Sequence, residues 1–192
     1  TEIRELHRLV TLSIDVFFVN KIPFFMTLSR KICFSTVTHL ANRKISTIFA
    51  ALKSIFMYYL QKGFQIMTIT GDNEFAPLAE LLYELPGAPT LNLTSANEHE
   101  PYIERRIRVV KERVRAVRHS VPFNAIPVRM LTHMVFFVVK LLNYFPTKGG
   151  ISTQYSPKTI MSGQTLNYKQ CSLPFGTYCQ VHEEDGPRKS LI

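Results

Sequence analysis

From Val10 to Leu40 the chain runs through three stretches rich in Val, Ile, Phe and Thr: VTLSIDVFFV, FFMTLSR and ICFSTVTHL. β-Branched and aromatic residues of this kind predict strands. Pro23 separates the first two stretches and predicts a hairpin or short meander. The period then changes. In ISTIFAALKSIFMYYLQKG the residues Ile45, Ile48, Phe49, Leu52, Ile55, Phe56, Tyr59 and Leu60 fall three and four apart. That spacing predicts an amphipathic helix, with Gly63 as its stop. FQIMTIT predicts a fourth strand with Asp72 at its end, PLAELLYEL a short helix, and PTLNLTS a fifth strand. Helices follow from about Pro101 to Ser120 and from about Val128 to Phe145. The order βββ-α-β-α-β-α-α implies an α/β fold on a mixed sheet, antiparallel first and parallel later. The segment from Gly149 to Ile192 is punctuated by Gly, Pro and Ser, which predicts short strands and loops that pack only partly. There is no internal repeat and no low-complexity tract.

Composition narrows the picture. A chain of 192 residues suits one domain and can bury a core without disulfides. Three cysteines do not make a disulfide framework, and Cys171, Cys179 and His182 lack a well-placed fourth zinc ligand. The opening TEIRELHRLV is too charged for a signal peptide. The most apolar stretch, VRMLTHMVFFVVKLLNYF, carries Arg129, His133 and Lys140, so it predicts a buried helix rather than a membrane span. His133 is expected to be a core histidine, and the histidines show no ligand spacing. No glycine loop for a nucleotide is present, so no small-molecule cofactor is expected. The net charge of +9 points to polyanionic partners, nucleic acid first and anionic membrane second.

Three carboxylates then stand out. Asp15 lies inside the first strand among apolar and small neighbours, where a charge is costly unless paired or metal-bound. Asp72 ends the fourth strand, a usual place for functional groups in parallel sheets; a turn or helix-cap role is the plainer alternative. Glu104 stands one turn into the long helix, where it also suits the helix dipole. At 100° per residue, Ile103, Ile107, Val110, Val114, Val117 and Val121 form one narrow arc, the face expected to pack on the sheet. Arg108, Lys111, Arg115 and Arg118 lie within about 40° of Glu104. Residues 105–118 hold seven Arg or Lys and one acid, which is more one-sided than a solvated face. Three converging carboxylates repel, by about 4 kcal/mol for a pair at 4 Å near a surface. A divalent cation reverses that sign, and oxygen-only ligands suit Mg2+ or Mn2+. Two such ions, roughly 4 Å apart, would serve phosphodiester chemistry. Arg105, Arg108, Lys111, Arg115 and Arg118 are the candidates for phosphate contacts.

Taken in order, SID at 13–15, TGDNEF at 70–75 and YIERRIRVVKERVR at 102–115 resemble the three acidic motifs of retroviral and retrotransposon integrase catalytic cores. LLNYFPTKG at 141–149 and YSPKTIMSGQTLNY at 155–168 are similar to the copia-type elements in particular. The resemblance implies a ribonuclease-H-like mixed five-stranded sheet flanked by helices, with a short C-terminal extension. It divides the chain into a core at 8–148 and a post-core polyprotein segment at 149–192. It maps Asp15, Asp72 and Glu104 onto a metal-binding catalytic triad. It implies 3′-end processing and strand transfer of DNA with two Mg2+ or Mn2+ ions, a homo-oligomer, and work in the nucleus or in a cytoplasmic retroelement particle; from the residues themselves no membrane partner is expected.

Some features depart from the pattern. Asp15 and Asp72 are separated by 56 residues and Asp72 and Glu104 by 31, the latter shorter than the family's usual interval. ANEHEPYI replaces the family's Gln-Asn-Gly run, which makes Glu98 and Glu100 rival third ligands. No His-His-Cys-Cys zinc module precedes the core. An integrase-derived module that holds DNA without cutting it, and a nuclease acting on RNA–DNA hybrids, therefore stay open.

Overall fold

The computed structural model describes residues 2–94 and 101–179. A short helix α1 (Glu2–Leu6) leads into β1 (Leu9–Val19), β2 (Ile22–Ser29) and β3 (Ser35–His39). Then come α2 (Ile45–Gln61), β4 (Gln65–Gly71), β5 (Thr90–Leu93), α3 (Pro101–Ser120), α4 (Val128–Tyr144) and α5 (Pro157–Ser162). The five strands form one sheet in the order β3-β2-β1-β4-β5. β1 pairs antiparallel with β2 and parallel with β4, and β4 pairs parallel with β5. This is the mixed sheet that the order of elements implied.

The hairpin expected between the first two strands is present, with its turn two residues before Pro23. Asn20 and Lys21 form that turn, both at positive φ (49° and 66°), as a two-residue hairpin loop requires. Pro23 sits inside β2 opposite Phe18, and its carbonyl accepts the Leu40 N–H. Between β4 and β5 the expected helix is two short 3-10 turns, Asn73–Leu78 and Leu82–Glu84. Pro77 interrupts the first, since it has no N–H to donate to a helical ladder.

The sheet separates two apolar cores. On one side Leu12, Ile14, Phe25, Ile66 and Ile69 meet Ile48, Leu52, Ile55, Phe56 and Tyr59 of α2. On the other, Phe17, Phe24, Met26 and Leu28 meet Ile103, Ile107, Val110 and Val114 of α3 and the apolar face of α4. β1 serves both cores because its side chains alternate between faces. The odd-numbered face, shared by Ser13, Asp15 and Phe17, is the one that α3 covers.

α4 is anchored by a buried amide. The side chain of Asn143 accepts the Ser35 N–H (2.8 Å) and donates to the Ser35 carbonyl (2.7 Å). No helix among the described residues is long and apolar enough to cross a membrane. His133 is exposed, not a core residue, and lies edge-on to Phe136 at 5.9 Å. It lies between the buried positions Leu131 and Met134, outside the apolar stripe.

After α4, the described residues form no strand. Ser156 caps α5, accepting the Thr159 N–H at 3.1 Å, and Gly163 ends it at φ 71°. Ile160 and Met161 of this short helix are buried in the α2-side core.

Candidate active site

The geometry begins with strand register. Ser13 of β1 lies beside Thr70 of β4. Two residues further along each parallel strand stand Asp15 and Asp72, on the same face of the sheet. Gly71 makes this approach feasible. A Cβ there would come within 2.9 Å of Ile14 Cγ1 and of Phe75 Cδ2, so the chain has no room for a side chain just before Asp72.

Ser13, Thr70 and Arg30 form a polar cluster beneath the two aspartates. The Thr70 hydroxyl donates to Ser13 Oγ (3.0 Å). Arg30 donates to Ser13 Oγ and Thr70 Oγ1, both at 3.2 Å. Ser13 and Thr70 are buried, so these bonds satisfy groups that would otherwise destabilise the sheet.

Asp15 is half-buried, and its Oδ1 accepts the Val16 N–H at 2.6 Å. Burial raises its pKa to about 6. The Val16 N–H opposes the shift, and the charges of Asp72, Glu74 and Glu104 reinforce it. Three other carboxylates therefore stand close enough to act on Asp15, including both sequence-predicted partners. Asp72 holds the N-cap position of the 3-10 turn that follows it, but its side chain makes no capping hydrogen bond there; its Oδ1 accepts from the Thr94 hydroxyl at 3.3 Å. Glu104 and Asp15 line one open groove, together with Phe17, Arg108, Lys111, Glu112 and Arg115.

The structure therefore gathers Asp15, Asp72 and Glu104 on one face, from β1, the end of β4 and the first turn of α3. It does not place them in a single coordination sphere: among the described residues no three His, Cys, Asp or Glu groups stand close enough to hold one ion. Mutual repulsion favours this spacing. The chemistry of the donor set nevertheless fits a hard divalent cation, since every candidate ligand is a carboxylate and Asp15 is costly to ionise without a counter-charge. Glu98 and Glu100, and the segment that replaces the family's loop, lie outside the described residues.

The basic residues divide. Arg108, Lys111 and Arg115 line the carboxylate groove, and Lys111 Nζ stands 5.9 Å from the Phe17 ring centroid. Arg105 lines a different hollow, on the α4 side of α3. The guanidinium of Arg118 donates to the carbonyls of Phe123 (2.9 Å) and Asn124 (2.5 Å), which braces the α3–α4 connection.

Sequence reasoning overlooked Glu74 and Glu112. Glu74 is ion-paired with Arg43, whose guanidinium also lies 5.5 Å from the Phe18 ring centroid. Its position two residues after Asp72 was a usable signal. Glu112 could have been found on the same helical wheel, at 80° from Glu104 by the geometry that selected Arg108. Thr94 had no signal, because only the β4–β5 register brings it to Asp72.

No protein-family model matches the chain, and no curated protein matches it. Among solved structures it is similar to the catalytic core domain of BIV integrase. The likeness covers 81% of this chain and 93% of that one, with a TM-score of 0.53 and 13% sequence identity. At that identity the likeness concerns architecture, and architecture is what the sheet order and helix layers independently display. The chain has the ribonuclease-H-like fold of a retroviral integrase catalytic core.

Proposed function

We propose that the chain is the catalytic core of a retroelement integrase, carrying out metal-dependent polynucleotidyl transfer on DNA. The observation that carries this reading is the electrostatic meeting of Asp15 with Asp72 and Glu104 beside a groove lined by Arg108, Lys111 and Arg115. Asp15, Asp72 and Glu104 would hold Mg2+ or Mn2+, which supplies charge neutralisation at the phosphate under attack and at the attacking and leaving oxygens. The groove cations orient the DNA backbone, mostly without reading sequence. Asp15 binds a cation in its ionised form, so metal affinity rises as pH passes about 6. The copia-type assignment is finer and rests on LLNYFPTKG and YSPKTIMSGQTLNY. A homo-oligomer acting on DNA belongs to the same reading.

The test is nicking of supercoiled plasmid, and joining of a 3′-hydroxyl oligonucleotide to it, with Mg2+ or Mn2+. Activity that disappears with chelator and falls at least 100-fold in Asp72→Asn supports the proposal. Retained activity in that variant refutes the assignment of Asp72.

A second reading is a module that holds DNA without cutting it. The separation of the carboxylates beyond one coordination sphere favours it. Salt-sensitive DNA binding, with no metal-dependent nicking under any condition, would establish this reading over the first.

A further inference from the structure

α3 has a second cationic side. Tyr102, Arg106, Val109 and Arg113 follow at intervals of four, three and four residues, so they share a stripe turned away from the carboxylate groove. Against it lie the last turn of α4 and the segment Pro146–Lys148, bordering a half-open hollow of about 340 Å³. Arg105, Arg106, Arg113 and Lys148 line it over a floor that includes Leu28 and Leu142. No carboxylate is among the described residues lining it. The contrast with the groove is direct. There, Asp15, Glu104 and Glu112 balance Arg108, Lys111 and Arg115.

Four like charges around a partly apolar hollow repel one another. The C-terminal end of α4 contributes about half a unit of negative charge, too little to balance them. Arg106 is half-buried in the wall: burial lowers its pKa from the ordinary value, Cys33 and Tyr102 oppose the shift, and the charge of Arg113 adds to it. One of its nitrogens is occupied, donating to the Cys33 carbonyl at 3.3 Å, which fixes the guanidinium in the wall. A guanidinium has five N–H donors in a planar fork suited to phosphate.

We infer that the hollow between α3 and α4 is an anion site that takes a phosphoryl group, separate from the carboxylate groove. A phosphoryl group brings up to two negative charges and several acceptor oxygens, a better match to three guanidinium groups and one ammonium than a singly charged carboxylate. The volume admits one such group with its substituents and excludes a base-paired duplex from its interior. The ligand is either a free phosphate compound or a backbone phosphate of a nucleic acid passing over α3. The inference does not depend on catalysis.

The experiment is calorimetric titration of the full chain with inorganic pyrophosphate, at fixed ionic strength and with chelator present. One saturable site is expected. Arg113→Gln/Lys148→Gln, both exposed positions, should weaken it about tenfold or more. Arg108→Gln/Lys111→Gln, on the groove side, should leave it within about twofold. Arg106→Lys, which keeps the charge and loses the fork, should fall between these limits. Acetate at matched ionic strength should not displace pyrophosphate. A single-stranded oligonucleotide that competes with pyrophosphate identifies backbone phosphate as the ligand; one that binds without competing identifies a free phosphate compound. Equal losses in the two double variants, displacement by acetate, or no saturable binding would overturn the site.

Discussion

Replacing Asp15 with Asn should stabilise the metal-free fold at neutral pH, although it removes a candidate catalytic group. The pKa of Asp15 is raised from 3.8 to about 6, first by burial and then by its acidic neighbours. A raised carboxyl pKa means that the folded state binds the proton more tightly than the unfolded state. Below about pH 4 the group is protonated in both states, and no penalty arises. Between about pH 4 and pH 6 the unfolded chain has lost the proton while the folded chain still holds it, and above about 6 the folded chain ionises at the full cost. Stability therefore falls with rising pH across this window. A shift of about two units corresponds to about 3 kcal/mol.

The assay is urea unfolding of wild type and Asp15→Asn, with chelator, between pH 4 and pH 8. The difference between the two proteins cancels other titrating groups. The variant should gain on wild type by up to about 3 kcal/mol over that range, equivalent to a Tm difference of about 6–12 °C. Added Mg2+ should close the gap by stabilising only the wild type, because a ligand that binds the folded state shifts its stability by mass action. A pH-independent difference would refute the reasoning, and so would a variant that loses stability as pH rises.

Two further predictions concern how the site is built. Gly71→Ala should destabilise by about 1–3 kcal/mol, because the new Cβ would meet Ile14 and Phe75 at 2.9 Å; urea unfolding unchanged within 0.5 kcal/mol would contradict this packing. Asn143→Ala should cost about 2–4 kcal/mol, since it strands both the N–H and the carbonyl of Ser35; Asn143→Asp, which keeps only the acceptor, should be distinguishable by an unfolding midpoint that recovers as pH falls and the carboxyl becomes a donor.

Much of the fold was legible in the chain. The first three strands were marked by runs of β-branched and aromatic residues, and α2 and α3 by apolar positions three and four apart. The buried positions of α3, Ile103, Ile107, Val110 and Val114, fall on the arc that the helical wheel selected. The misreadings were local. The hairpin between the first two strands was legible, but not the place of its turn, because Asn-Lys is a weak signal for the positive φ that Asn20 and Lys21 adopt. PLAELLYEL has helical composition, yet the connection from β4 to β5 runs in 3-10 turns. α5 was hidden because six residues are too few to display a period. Its burial comes from Ile160 and Met161 meeting a core assembled from distant segments.

The chain by itself determined which segments become strands and helices, because burying one face of a helix spaces its apolar residues three and four apart, while β-branched and aromatic residues suit the pleated strands. It also singled out Asp15 and Asp72, since a carboxylate inside or at the end of an apolar strand stands out against its neighbours. Tertiary structure decided what these groups do to one another. Parallel register set Asp15 beside Asp72. The rotation of α3 turned Glu104 and Arg108 toward one groove and Arg106 and Arg113 toward another hollow. Long-range contacts brought Glu74, Arg43 and Thr94 to the same end of the sheet. Register and rotation are set by the summed packing of residues far apart in sequence, and no local pattern records that sum.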